Sequence, residues 1–421
     1  MYGNFLPKKV PKVSSKLEKE TPKAVHWTDE LSQTIEDLSE NKASNREELL
    51  ETLVNILSSH QASSQIEDRL EDILGLLKRS LLKNSSTNEA CLASKAIALT
   101  FINMDDISES EGDDLYRRIL PSLRSRIKDS EQVEIKISCL QTLSLITYTA
   151  ASDIDKQLVR NELFEFIETD GADYNVEDLP SGDLDNLFSE AIQAYGMLFA
   201  ASFTTGAVDF DVLWEELEKV MPMHEILLES SDKDVRISAG ENVGLMFETA
   251  NVFLISDSDE EEDEEIAKPE YDNMDGLIHT LEGLSIDSSR HRAKSDRTEQ
   301  KSVFRDVVKS VKENVKPTEE LKIGGKTLTF RGWAKILPLN AFRHALGQGF
   351  QHHLKTNDLI KGIFRYSVGR QQEDDSDDSG DEVGFNRSAL SNVDRRYFNE
   401  ESKKSRTKQL RNARMGKEGL A

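Results

Sequence analysis

Val235-Arg236-Ile237-Ser238-Ala239-Gly240-Glu241-Asn242-Val243-Gly244-Leu245 decides the fold, because its order of apolar and small residues returns three times earlier in the chain. The other copies are Ala90-Cys91-Leu92-Ala93-Ser94-Lys95-Ala96-Ile97-Ala98-Leu99, Ile135-Lys136-Ile137-Ser138-Cys139-Leu140-Gln141-Thr142-Leu143 and Glu190-Ala191-Ile192-Gln193-Ala194-Tyr195-Gly196-Met197-Leu198-Phe199. Their small central residues, Ala93, Cys139, Ala191 and Ala239, stand 46, 52 and 48 positions apart. That is close to the period of armadillo and HEAT repeats, in which small residues let stacked helices approach closely. The acids of Asp232-Lys233-Asp234 precede the quoted helix and complement its dipole. The irregular spacing leaves an unrelated all-α bundle as the alternative.

Outward from these copies the pattern is helical from Thr28 to Phe253. Leu31, Ile35 and Leu38 recur at three and four, as do Leu49, Leu50, Leu53, Val54 and Leu57, and then Ile66, Leu70, Ile73, Leu74, Leu77 and Leu81. The acidic run Ser256 to Glu265 can bury nothing and repels itself, which predicts a disordered loop over 256–268. Met274 to Leu284 resumes the helical period. Residues 290–368 differ in kind: a helix over Lys301–Val311 with Val303, Val307 and Val311 on one face, then alternation in Leu321–Ile323 and Thr327–Phe330 around Gly324-Gly325-Lys326. Short helices are expected over Asn340–Leu346 and Asp358–Phe364.

The expected class is therefore mainly α: an armadillo/HEAT-like α-solenoid followed by a small α+β C-terminal domain and a basic helical tail. The expected boundaries are a disordered segment 1–27, repeats over 28–289, the α+β domain 290–368, an acidic linker 369–391 and a basic helix 392–421.

The chain has 421 residues and a net charge of −25. Arg290 to Tyr366 carries +10, residues 367–386 carry −6 and residues 387–421 carry +6, so residues 1–289 hold −35. An acidic front and a basic back leave phosphate affinity possible only at the C-terminal end. Two cysteines, Cys91 and Cys139, are too few for a disulfide framework and predict a reducing compartment. No apolar leader or membrane-length run is present, so the expected location is the cytoplasm, with the nucleus as a second site.

Catalytic and cofactor signatures are weak. Gly325-Lys326-Thr327 lacks the earlier glycine of a phosphate-binding loop, where Glu320 stands, and reads as a hairpin turn. His344, His352 and His353 lack metal-ligand spacing and read as packed or RNA-facing. No nucleophile elbow or Cys-His signature occurs, so no enzyme, cofactor, metal or small-molecule substrate is expected. The segment Lys403 to Lys417 holds seven cations and no acid. Its Lys403, Lys404, Arg406, Lys408, Arg411, Arg414 and Lys417, with Arg395 and Arg396 before them, form a candidate RNA-binding helix that orders against phosphates. A solvated tail or a nuclear localisation signal is the alternative. Arg290, Arg292, Lys294, Arg297, Lys301 and Arg305 form a second basic patch, with a solvated helix face as its plain alternative.

These residues also resemble the interferon-related developmental regulator family. The likeness is carried by His291-Arg292-Ala293-Lys294, Asp296-Arg297, Gln300 to Val307, Thr318 to Ile323, Trp333, Leu346 to Leu354 and Asn357, and in the first half by Val235 to Glu241 and Leu245-Met246-Phe247-Glu248. It runs roughly from Asp29 to Phe364, and the tail is similar mainly in being a basic helix beginning near Arg395. The resemblance implies an armadillo-like solenoid, a small C-terminal domain and no enzymatic activity. It also implies binding of translationally inactive ribosomes with the terminal helix in the mRNA path, or else transcriptional co-regulation through histone-deacetylase corepressor complexes. The expected function is a ribosome-associated translation repressor acting as a monomer, and the alternative is a nuclear co-regulator scaffold. The acidic insertions 256–265 and 373–382 depart from the family pattern.

Overall fold

The computed structural model describes residues 26–40, 45–83, 86–104, 107–204, 209–256, 270–286, 294–323 and 326–365. The expected loop 256–268 (beyond Ser256), the linker 369–391 and the basic tail 392–421 lie outside the described residues, as do residues 1–25 of the N-terminal segment.

Helices follow one another as antiparallel pairs. α1 (Trp27–Ser39) lies on α2 (Arg46–Ser59) and, after the short α3 (Ser63–Ile66), α4 (Leu70–Leu82) lies on α5 (Thr87–Ile102). α6 (Glu109–Asp129) then pairs with α7 (Val133–Ala150), α8 (Asp153–Glu168) with α9 (Ser181–Phe203), and α10 (Phe210–Leu228) with α11 (Lys233–Ser256). α12 (Met274–Ile286) pairs with α13 (Lys294–Glu313). The second helices of successive pairs also touch, α2 on α5, α5 on α7, α7 on α9, α9 on α11 and α11 on α13, which makes the arrangement solenoid-like. The boundary expected at 289–290 thus falls inside the last pair. The reason is α13, whose Phe304 and Val307 are fully buried and whose partners include both α11 and α12.

The repeat copies are the cores of α5, α7, α9 and α11. Ala93, Cys139, Ala191 and Ala239 are each 0 % exposed, so the spacing read from the sequence marks the helix-to-helix crossings. Local chemistry sets the helix ends. Ser86, Ser108 and Ser152 accept amides of the first turns of α5, α6 and α8, and Asp232 Oδ1 accepts from Asp234 and Val235 at the start of α11. Buried cations on second helices complete the ends of the first helices. Arg46 donates to Leu38 O (3.1 Å), Lys136 Nζ to Ile127 O (2.7 Å) and Lys128 O (3.0 Å), and Arg236 to Ser230 O (2.6 Å) and Ser231 O (2.8 Å). A helix C-terminus offers unpaired carbonyls and negative dipole charge, so each cation finds there the partners that its burial requires. Burial nevertheless pushes Lys136 down to about 8.

Because Ala239 is fully buried, Ala239→Leu is expected to overpack the α11 crossing and cost roughly 1–3 kcal/mol, read as a lower urea midpoint. An unchanged midpoint would show that the crossing can dilate.

After α13 the chain forms an antiparallel hairpin, β1 (Thr318–Ile323) with β2 (Lys326–Arg331), in the register Thr318↔Arg331 to Ile323↔Lys326. Then come α14 (Trp333–Leu346), α15 (Phe350–Thr356) and α16 (Asp358–Ile363). Two of these differ from expectation. α14 begins seven residues before Asn340, and α15 lies in a stretch where no helix is expected. In α14, Trp333, Ile336, Leu337, Leu339, Phe342, Ala345 and Leu346 are all buried around most of the circumference. A helix covered on several sides has no polar stripe, and Pro338 further masks its period. The apolar core runs without a break from Leu31 to Phe364.

Candidate interaction surfaces

The C-terminal helices form a strap across the second helices. α14 touches α2, α5, α7, α9 and α11, and α15 touches α2. Glycines admit it: a Cβ on Gly244 of α11 would lie 2.6 Å from Trp333 Nε1, and one on Gly196 of α9 would lie 2.8 Å from Leu337 Cδ2. Trp333 Nε1 donates to Ser310 Oγ (2.9 Å), while the Trp333 amide donates to Glu248 Oε2 (2.8 Å). Gly332, at φ 88°, makes the turn into α14 over that same carboxylate. Glu248 therefore serves as an N-terminal cap supplied by another helix. Burial raises its carboxyl pKa, against the pull of the Trp333 and Ala334 amides and Lys316 and Lys335.

Further along, Phe342 meets Tyr148 of α7 edge to face at 5.9 Å, and Phe330, Phe342 and Phe350 surround Phe364. Asn357 Nδ2 donates to Ile102 O (2.8 Å) at the end of α5, and His353 Nε2 to Leu57 O (3.2 Å) near the end of α2. Gly196, Glu248, Tyr148, Ile102 and Leu57 lie in the C-terminal halves of second helices, and Gly244 at the middle of α11. The chain itself covers these positions.

Two buried histidines, one in the strap and one in α10, give the chain an acid response. Burial, then the neighbouring His352, pushes His353 down to about 4, and burial pushes His224 of α10 down to about 4. The His353 Nδ1 is buried and makes no hydrogen bond in the neutral ring. A folded pKa below the unfolded value near 6.5 means that stability is complete above pH 6.5 and is lost as pH falls from 6.5 toward 4. The loss from His353 is expected to reach about 3 kcal/mol at full protonation. Urea midpoints measured from pH 7.5 to 4.5 check this, and His353→Gln, which keeps a donor for Leu57 O, should flatten the slope.

The predicted basic patch is only partly described. Arg290 and Arg292, and the tail residues Arg395, Arg396, Lys403, Lys404, Arg406, Lys408, Arg411, Arg414 and Lys417, lie outside the described residues. Lys294 and Arg297 are in α13, but their side chains are not described. Lys301 and Arg305 are both solvent-accessible, and neither has a carboxylate partner among the described residues. Lys309, four residues on, extends the same face with one long contact to Asp306 (3.9 Å), and exposed Lys316 follows. The sequence reading missed these last two, although a step of four from Arg305 reaches Lys309. Other lysines are already neutralised: Lys312 by Glu282 (2.6 Å) and Lys233 by Glu299 (2.7 Å).

Of the candidate histidines, His353 is packed, whereas His344 and His352 are exposed. Lys326 and Thr327 belong to β2, in keeping with the hairpin reading. Among the described residues no group of three His, Cys, Asp or Glu could hold a metal, and no helix is long and apolar enough to cross a membrane. A cleft of about 230 Å³ lies between Ile66, Leu70, Asn103 and Met104, with Ser63 and the carboxylates Glu67, Asp68 and Glu111 also in its lining.

Residues 9–312 match the interferon-related developmental regulator family. Interferon-related developmental regulator 2 of Mus musculus is 29% identical over 301 residues, 69% of this chain and 64% of the mouse protein. Interferon-related developmental regulator 1 of Homo sapiens is 27% identical over 305 residues, 68% of this chain and 60% of the human protein. The chain thus spans less than two-thirds of the length of these mammalian relatives. An uncharacterised protein of Schizosaccharomyces pombe is 27% identical over 396 residues, 88% of this chain and 83% of its own length.

Proposed function

Since this chain belongs to the interferon-related developmental regulator family, we propose that it is a non-enzymatic regulator that docks on translationally inactive ribosomes in the cytoplasm, with its basic C-terminal segment in the mRNA path. The observation that carries the reading is the distribution of uncompensated cations. Acids dominate the repeats, yet Lys301 and Arg305 on α13 stand without carboxylate partners among the described residues, and Lys403 to Lys417 has seven cations and no acid. Cations not already held by carboxylates can replace the counterions of a phosphate backbone. Regions 290–305 and 395–417 would share the RNA contact, and the acidic repeats would face protein or solvent.

The second reading is a nuclear scaffold for histone-deacetylase corepressor complexes, with a peptide seated on the second helices. The strap lies across that seat, which favours the ribosomal reading. Sucrose-gradient sedimentation separates the two. Co-migration with ribosomes that high salt abolishes is expected, and light fractions at every salt concentration would leave the scaffold reading in its place.

A further inference from the structure

One corner of the solenoid, away from the strap and from α13, is apolar where its neighbours are not. Ile154 and Leu158 of α8 are 72% and 49% exposed, and Val212 of α10 is 51% exposed. Two bonds fix the alignment of these helices: Arg160 Nε to Glu216 Oε1 (3.1 Å) and Lys219 Nζ to Asn161 Oδ1 (3.2 Å). Ile154, Leu158 and Asn161 share one face of α8 at i, i+4 and i+7, and Val212, Glu216 and Lys219 share the facing stripe of α10 at the same spacing. With Asn161 level with Lys219, Leu158 falls level with Glu216, and Ile154 with Val212. By this register the three apolar side chains stand at the same end of α8 and α10, and we read them as one patch. Isolated exposed apolar residues need no explanation, whereas a contiguous set marks a contact surface.

Its rim is acidic on balance: Asp209, Asp211 and Glu215 are exposed around it against Lys219, whose bond to the neutral Asn161 leaves its charge in place, while exposed Asp153 is paired with Lys156 (3.1 Å). Phosphate is repelled from such a rim, and so is a second copy of the same corner. A cationic segment with large apolar side chains is attracted. The chain contains one: Arg395-Arg396-Tyr397-Phe398, followed by Lys403, Lys404, Arg406 and Lys408. Arg395 is thirty positions beyond Arg365, a reach of up to roughly 100 Å at about 3.3 Å per residue.

We propose that the segment beginning at Arg395 docks on this corner of its own chain, with Tyr397 and Phe398 on Ile154, Leu158 and Val212 and its cations opposite the acidic rim. The same cations cannot then contact RNA, so docking and RNA binding compete, and the corner acts as an intramolecular lock on the tail.

The test uses a fluorescently labelled peptide of residues 392–421 and the chain ending at residue 391, which retains every described residue and the whole apolar core. Saturable binding by anisotropy is expected. It should weaken by at least about tenfold in the Ile154→Ser/Leu158→Ser variant, which removes two aliphatic contacts, and should also weaken in Asp211→Asn/Glu215→Gln. These side chains are exposed, so the variants should unfold at the same urea midpoint as the parent. The full chain should bind the added peptide more weakly than the shortened one. Absence of binding, equal affinity in all variants, or equal affinity for full and shortened chains overturns the proposal. Concentration-dependent dimers that Leu158→Ser dissolves would assign the corner to a second copy and overturn it as well. The ribosomal reading is separately decided, because corner variants of the full chain should bind ribosomes at least as tightly as the parent.

Discussion

Trp333→Ala is expected to destabilise the folded chain by about 3–5 kcal/mol, the range for removing a buried Trp or Phe side chain. Trp333 is 3% exposed, sits on the Gly244 gap of α11 and donates from Nε1 to Ser310. Its removal opens a cavity where α11, α13 and α14 meet, and the glycine beneath it cannot fill the space. Ser310 keeps its bonds to Asp306 O and Val315 O, so the loss is one of packing more than of polar satisfaction. A denaturant titration checks the value, and a drop in slope alongside the midpoint would show that the strap detaches before the repeats unfold. The reverse change, Gly244→Ala, places a methyl 2.6 Å from the indole nitrogen and should also destabilise, by about 1–3 kcal/mol. If neither substitution moves the midpoint, the strap contributes nothing to the stability of the repeats.

The second large effect is on ribosome binding. Replacing Lys403, Lys404, Arg406 and Lys408 by alanine is expected to reduce the salt dependence of binding by about three units, at a slope of roughly −0.7 to −0.9 per phosphate neutralised. A helix over Lys403–Lys417 would be about 22 Å long, enough to meet several phosphates along a narrow channel. Loss of four such contacts should weaken binding by at least about a hundredfold near physiological salt while leaving the urea midpoint unchanged. Lys301→Ala with Arg305→Ala should act in the same direction with a smaller slope change. A chain ending at Ser391 that binds ribosomes with unaltered affinity and slope would show that the tail is not the anchor, and the localisation-signal reading would stand.

Some of this molecule was readable from spacing alone. Ala93, Cys139, Ala191 and Ala239 announced four crossings, and each is buried completely. The hairpin was equally plain, because alternation in Leu321–Ile323 and Thr327–Phe330 around two glycines has few other solutions. α14 was half missed for the opposite reason: its surroundings are apolar on nearly all sides, so its sequence carries no stripe that a period could detect.

By itself, the sequence determined what depends on neighbours along the chain: helical period, small residues at crossings, the capping acid Asp232, and the separation of an acidic front from a basic back. Tertiary structure alone decided which surfaces remain open. Whether a lysine is available to a partner depends on carboxylates far away in sequence, as Lys233 is taken by Glu299 and Lys312 by Glu282 while Lys301 and Arg305 are held by no carboxylate among the described residues. Likewise, the strap's path is set by Gly196 and Gly244, by Ile102 O and by Leu57 O, contacts between residues up to 296 positions apart that no local pattern encodes. Long-range pairing is a property of packing, where shape and unsatisfied polar groups select the partner, and only the folded chain brings those groups together.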